Sequence, residues 1–288
     1  MNVRTCFYFC SFVILFAFLW HNELYGLLLS ENVSSTYPVP TAFFQCKYIY
    51  LDMGANIGVH SRFLFEPEKY PPKIKRFHLK DMYELFDKHF GAPSVRKEPN
   101  FKSKICVFGF EASPTRSKVK RMNALNKVYN ERGWAVHYKA GTAVWYKEDQ
   151  IEFFVDNPSV NEFGTGNSMY GEGDNSWFRG PTKVTVPTMN MVKFIQNLYL
   201  KYSPELVMGK MDIEGGEFDL LPKLEENGIL CSGTGFDIIT IEYHRRIFKN
   251  GEKDQWKFPA THKCTHGSKT IFLELDVEEY HNDPVPLA

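Results

Sequence analysis

The chain lacks any net charge, since its 34 Lys and Arg are matched by 34 Asp and Glu. That balance excludes the overall basic footprint of a nucleic-acid-binding protein. It has six cysteines but no Cys-x-x-Cys pair, so the usual zinc spacing is missing. Its first glycine turn has neither the G-x-G-x-x-G of dinucleotide sites nor the G-x-x-x-x-G-K-[ST] of phosphate loops. No small-x-small cleavage site follows its apolar N-terminal run.

What is present begins at Tyr48–His60, Y-I-Y-L-D-M-G-A-N-I-G-V-H. This reads as a buried strand ending in an acid, then a glycine turn into a helix. Gly54 and Gly58 permit positive φ and close approach of a ligand, and Asn56 tolerates left-handed backbone. The helix then directs free N–H groups at whatever the turn holds. Asp52 in such a turn repels a pyrophosphate and suits an amino group or a sulfonium.

Two further strands end in acids. Ile105–Pro114, I-C-V-F-G-F-E-A-S-P, presents Glu111, followed by Ser113 as an N-cap and Pro114 at the first helical position. An acid at the end of a second strand is placed to bond ribose hydroxyls. Leu206–Leu221 presents Lys210, Asp212 and Glu214 before a glycine turn, with Glu217 opening a helix. Ionisable groups packed this closely at a strand's end mark the rim of a pocket.

D-x-G-A-N-x-G at 52–58, G-F-E-A-S-P at 109–114, K-M-D-I-E-G-G-E at 210–217 and I-E-Y-H at 241–244 together resemble the FkbM-type methyltransferase family. The resemblance runs from about residue 46 to 245. It implies S-adenosylmethionine as cofactor and transfer of a methyl group to a hydroxyl. It also implies a Rossmann-like class I methyltransferase α/β fold, with a mostly parallel seven-stranded sheet and helices on both faces. On this reading Asp52, Gly54, Asn56, Gly58, Glu111 and Ser113 bind cofactor. Lys210, Asp212, Glu214 and His244 form the catalytic set, with His244 as base or as a hydrogen-bonding residue. A divalent cation on Asp212 and Glu214 is the weaker alternative, and no metal ligands are assigned. The departures are a long stretch between the first two motifs and poorly defined C-terminal strands, so the acceptor side is less defined than the cofactor side.

Cys6–Trp20 is apolar apart from one serine and follows Arg4, so residues 1–29 read as a signal peptide or, preferably, a short signal anchor. An anchor of this length places the chain as a type II membrane protein of the endoplasmic reticulum or Golgi with a luminal domain. Cleavage would make it secreted. The sequon Asn32-Val33-Ser34 is consistent with that side of the membrane. Residues 30–45 form a polar stem and 46–288 one domain. In an oxidising lumen Cys231 pairs with Cys264, while Cys106, inside an apolar strand, reads as a buried thiol.

Within the domain, 66–104 looks inserted, with ten basic against six acidic residues and a helix over Leu79–Phe90 whose Met82, Leu85, Phe86 and Phe90 share a face. A basic amphipathic helix follows over Pro114–Gly133, and a third strand over Val136–Trp145. Ile151–Val155 and Lys183–Val186 alternate as an antiparallel pair around loop 156–182, a gate or an ordinary hairpin tip. A helix spans Asn190–Leu200. Strands over Asp237–Tyr243 and Thr270–Leu275 complete the chain.

Two functions from different classes remain. One is a luminal O-methyltransferase acting on a glycan or another hydroxylated acceptor. The other is a non-catalytic cofactor-binding or scaffold protein of the secretory pathway. A dehydrogenase is disfavoured by the glycine spacing.

Overall fold

Strand β1 (Tyr48–Met53) is buried along nearly its whole length, as expected of a strand covered on both faces of a parallel sheet. In the computed structural model, which describes residues 45–73, 78–155, 182–244, 264–265, 267–277, 280 and 283–287, β1 pairs in parallel with both of its neighbours. The N-terminal apolar run, Asn32, the stem as far as residue 44 and loop residues 156–181 lie outside the described residues. No helix among the described residues is long and apolar enough to cross a membrane.

After β1 come α1 (Val59–Phe65), a 3-10 turn at Pro67–Lys69, α2 (Leu79–Phe90), α3 (Pro93–Lys97), α4 (Pro99–Lys102), β2 (Ile105–Glu111), α5 (Arg116–Glu131) and β3 (Ala135–Ala140). The chain continues through β4 (Ala143–Trp145), β5 (Gln150–Val155), β6 (Thr182–Asn190), α6 (Met191–Tyr202), β7 (Leu206–Met211), α7 (Glu217–Glu226), β8 (Ile238–Ile241) and β9 (Ile271–Glu274). The main sheet has the order β3-β2-β1-β7-β8-β9, with every pairing parallel. Chain order reverses between β1 and β7, the switch point at which open α/β sheets hold their ligands. The main sheet has six strands among the described residues where seven were expected, and the architecture is a Rossmann-like α/β fold.

Strand alternation shows that helices cover both faces. Ile105 and Val107 of β2 join the cluster that holds Phe63 of α1, Phe86 and Phe90 of α2, and Met122 and Leu125 of α5. Phe108 and Phe110 point the other way, onto Phe194 of α6. The helix expected over Leu79–Phe90 is present with those bounds, and Met82, Phe86 and Phe90 are buried. The insert therefore closes one face of the sheet and brings several short helices rather than a single one.

Four local expectations are corrected. The third strand does not run through to Trp145, because Gly141 takes φ 70° and Thr142 N–H turns back to Glu111 O at 2.9 Å. β4 therefore leaves the main sheet and pairs with β6, which also forms the expected antiparallel pair with β5. Thr182, assigned to the loop from sequence, opens β6. Helix α5 starts at Arg116 with Thr115 as N-cap, not Ser113. The strand expected over Asp237–Tyr243 contracts to β8, leaving Glu242 and His244 beyond its end.

Cys231 pairs with Cys264 as expected. Cys106 is not a free thiol, because it is bonded to Cys46 just ahead of β1. Strands β1 and β2 start together in register, Tyr48 opposite Ile105, so a cysteine two residues before one strand comes within reach of a cysteine near the start of the other.

The C-terminal segment fastens to the helices on one face. Arg62 of α1 is buried and donates to Asp283 Oδ2 at 2.8 Å and to the carbonyls of Val285 and Pro286. Asp283 also pairs with Arg121 of α5 and accepts from Tyr70 Oη at 2.8 Å.

Candidate active site

The strand ends of β1, β2, β3 and β7 lay one row of residues across the sheet. Tyr138 is opposite Gly109, Gly109 is opposite Asp52, and Asp52 is opposite Lys210. Neighbours in register project to the same face, so three polar side chains and a glycine meet beside the switch point. Tyr138 Oη donates to Asp52 Oδ2 at 3.0 Å across the bare surface of Gly109.

Asp52 is fully buried. Burial pushes its carboxyl up to about 6, with Lys210 and the Tyr138 hydrogen bond pulling the other way. Past it, Gly54 sits at φ 79°, and a Cβ there would fall 1.6 Å from the carbonyl oxygen of Asp212. Only glycine lets the turn after β1 lie against the turn after β7. Asn56 is left-handed at φ 50°, as expected, and Gly58 at φ 70° is the N-cap of α1.

Glu111 draws this turn towards β2. Its Oε2 accepts from the Asn56 N–H at 2.8 Å, while Oε1 accepts from the Ser113 N–H and from Lys118 Nζ, both at 3.0 Å. An ionised carboxylate offers about four acceptor positions, so room for a further donor remains. Ser113 is buried and serves Glu111 through its backbone.

Several buried polar atoms here have no hydrogen-bond partner among the described residues: Asp52 Oδ1, Asn56 Oδ1, Thr142 Oγ1 and His60 Nδ1. Buried polar atoms are seldom left so. Asp52, Asn56 and Thr142 surround the end of β2, where Thr142 reaches the Glu111 carbonyl. This donor and acceptor set fits an amine- and ribose-bearing cofactor such as S-adenosylmethionine. His60, unassigned from sequence, approaches Val277 O at 3.3 Å through Nε2 and faces Asp52 Oδ1 at 3.8 Å through Nδ1.

The second half of the site gathers at the ends of β7 and β8. Lys210 Nζ donates to Asp212 Oδ2 at 2.6 Å and to Gly54 O at 3.3 Å. Burial works against its charge, but Asp212 and Asp52 outweigh burial and raise its pKa. Burial likewise opposes the charge of Asp212, and Lys210 and His244 reverse that effect and lower its pKa. His244 Nε2 lies 3.5 Å from Asp212, 3.4 Å from Glu214 and 3.6 Å from Glu242. Burial disfavours the imidazolium, yet the carboxylates of Glu214, Glu217 and Asp212 raise its pKa well above the ordinary value. Glu214, at φ 53°, is pushed up to about 8, mainly by burial and by Asp212 despite the opposing pull of His244.

Glu217 organises this half. It is fully buried at the start of α7, with Oε2 accepting from Gly215 N–H at 2.9 Å and Oε1 from His244 N–H at 2.8 Å. The same Oε1 lies 3.3 Å from His244 Nδ1.

All ten residues singled out from the sequence thus lie at one edge of the sheet. They form one group around β1 and β2 and an acid–histidine group around β7 and β8, joined by Lys210. Sequence reasoning missed Tyr138, Lys118 and Thr142, and placed Glu217 at a helix start on the pocket rim without a role of its own. The cue for Tyr138 was Gly109 inside an otherwise apolar strand, a sign of close approach. No family model, curated protein or solved structure matches this chain.

Proposed function

We propose that this protein is an S-adenosylmethionine-dependent methyltransferase that methylates a hydroxyl, on a glycan or another acceptor of the secretory pathway. The observation that carries the reading is the joining of two groups at one switch point. Buried oxygens of Asp52, Asn56 and Thr142 with no hydrogen-bond partner among the described residues lie beside Glu111 on one side, and Asp212, Glu214 and His244 gather on the other.

Bound there, S-adenosylmethionine would supply an activated methyl group on a sulfonium, with Asp52 and Glu111 as the residues that would hold its positive portion and its ribose. On the acceptor side, Asp212 and His244 would orient the hydroxyl, with Asp212 accepting its proton. Lys210 holds Asp212 ionised for that task. The two disulfides favour an oxidising compartment, in keeping with a luminal domain behind an N-terminal anchor.

Calorimetric titration of S-adenosylhomocysteine into the purified chain tests the reading. Saturable binding that Asp52→Asn weakens by about tenfold or more, as expected for loss of a buried charged contact, supports it. A folded chain that binds nothing overturns it and leaves the scaffold alternative. Asp212→Ala should keep cofactor binding and lose turnover on an acceptor array, and retained turnover would remove its catalytic role.

A further inference from the structure

We propose that Asp212, Glu214 and His244, with Glu242 beside them, form a binding site for a divalent cation. The donor atoms of the first three residues all lie within 4.8 Å of one another. A cation held about 2.0–2.2 Å from each donor keeps adjacent donors about 3.0–3.5 Å apart. His244 Nε2 stands 3.4 Å from Glu214 and 3.5 Å from Asp212, which is that spacing.

The orientation of His244 supplies a separate argument. Its backbone N–H and its Nδ1 both face Oε1 of Glu217, so Nδ1 carries the proton and Nε2 turns towards Asp212, Glu214 and Glu242. A single hydrogen on Nε2 serves one acceptor, yet three carboxylates converge on it at 3.4–3.6 Å, beyond good hydrogen-bond length. A cation bonds all of them at once. The supporting contacts are those that metal sites use: a carboxylate on the far nitrogen of the histidine, and a donor on the far oxygen of a ligating carboxylate. Glu217 fills the first role and Lys210, 2.6 Å from Asp212 Oδ2, the second.

One nitrogen and two or three carboxylate oxygens suit Mn²⁺, Mg²⁺ or Zn²⁺. If the methyl-transfer reading holds, the cation's role is to lower the pKa of the acceptor hydroxyl. Cation binding itself does not depend on that reading.

The test is titration of Mn²⁺ into the full chain, followed by electron paramagnetic resonance, which reads loss of the free-ion signal. Wild type, Glu214→Gln, Asp212→Asn and Glu217→Gln are compared with the surface control Glu152→Gln, and circular dichroism checks folding. Expected is one-to-one binding, unchanged in the control and weakened about 10–100-fold by Glu217→Gln and at least as much by the two ligand changes. A folded wild type that binds none of Mn²⁺, Mg²⁺, Ca²⁺ or Zn²⁺ at millimolar concentration overturns the site. So does binding that survives the Asp212→Asn, Glu214→Gln double variant. Titrating S-adenosylhomocysteine in parallel separates the two proposals: Mn²⁺ binding without it upholds the cation site and removes methyl transfer, while its binding without any cation does the reverse.

Discussion

The ring of Tyr138 lies across Gly109, its partner on the neighbouring strand, so closely that a Cβ on the glycine would fall 2.0 Å from Tyr138 Cε1. Only by crossing there does the Tyr138 hydroxyl reach Asp52. Gly109→Ala forces the ring out of place and should cost about 1–3 kcal/mol as an overpacked core change, read as a fall in the midpoint of chemical denaturation. Tyr138→Phe keeps the ring and loses one buried hydrogen bond, about 1 kcal/mol. An alanine variant as stable as wild type would show that the strands adjust to it.

Asp52 gives a pH dependence opposite to that of most carboxylates. Its pKa is pushed up to about 6 by burial, from the ordinary 3.8. The unfolded chain therefore loses this proton first, and stability from this group, present in full below about pH 4, drains away as pH rises to about 6. At neutral pH the penalty is on the order of 3 kcal/mol. Asp52→Asn keeps an acceptor for Tyr138 and should be more stable than wild type at pH 7, with the gap shrinking towards pH 4. Thermal denaturation of both proteins across that range checks the sign, and a gap that widens on acidification would refute it.

Asp283 neutralises two arginines, Arg62 and Arg121, in a buried setting. Asp283→Asn leaves Arg121 without its carboxylate partner and Arg62 with Glu66 alone, and should cost about 3–5 kcal/mol. Because Arg121 Nε also donates to Ile57 O at 3.4 Å, the loss should reach the glycine turn as faster amide hydrogen exchange around residues 54–58. Unchanged exchange there would confine Asp283 to fastening the C-terminal segment.

The Cys46–Cys106 bond closes a separation of 60 residues, for which chain entropy gives about 2–4 kcal/mol of stabilisation. Cys46→Ser should lower the denaturation midpoint by that amount. Affinity for S-adenosylhomocysteine should stay within about twofold, because the bond lies at the opposite end of β1 from Asp52. A large loss of affinity at full folding would link the two ends of the strand.

Much of this architecture was legible in particular residues. The run from Tyr48 to His60 specified its strand, turn and helix because apolar continuity, Gly54, Asn56 and Gly58 each demand a local geometry that burial does not override. Leu79–Phe90 was readable because its apolar positions repeat at helical spacing. Less readable was whatever depends on two distant segments. Tyr138 looked like an ordinary strand aromatic until β3 was placed beside Gly109. Glu217 could be placed on the rim at a helix start, but its hold on His244 shows only once the end of β8 lies beside it. Cys106 looked like a core thiol because the strand pairing that brings Cys46 to it is not written in either local sequence. The break after Ala140 was missed for a smaller reason, a single left-handed glycine inside a run of strand-forming residues.

Both disulfides lie where strands of the main sheet begin. Cys46 and Cys106 bracket the starts of β1 and β2, and Cys231 precedes β8 while bridging to Lys269 just ahead of β9. Since all these strands run the same way, the covalent ties bind one margin of the sheet like the spine of a book, and the ionisable groups occupy the margin that opens. The bound side keeps the strands in step, while loops on the open side can lengthen, shift or exchange residues without disturbing strand register. Covalent fastening and the ionisable cluster are thereby placed on separate edges of one sheet.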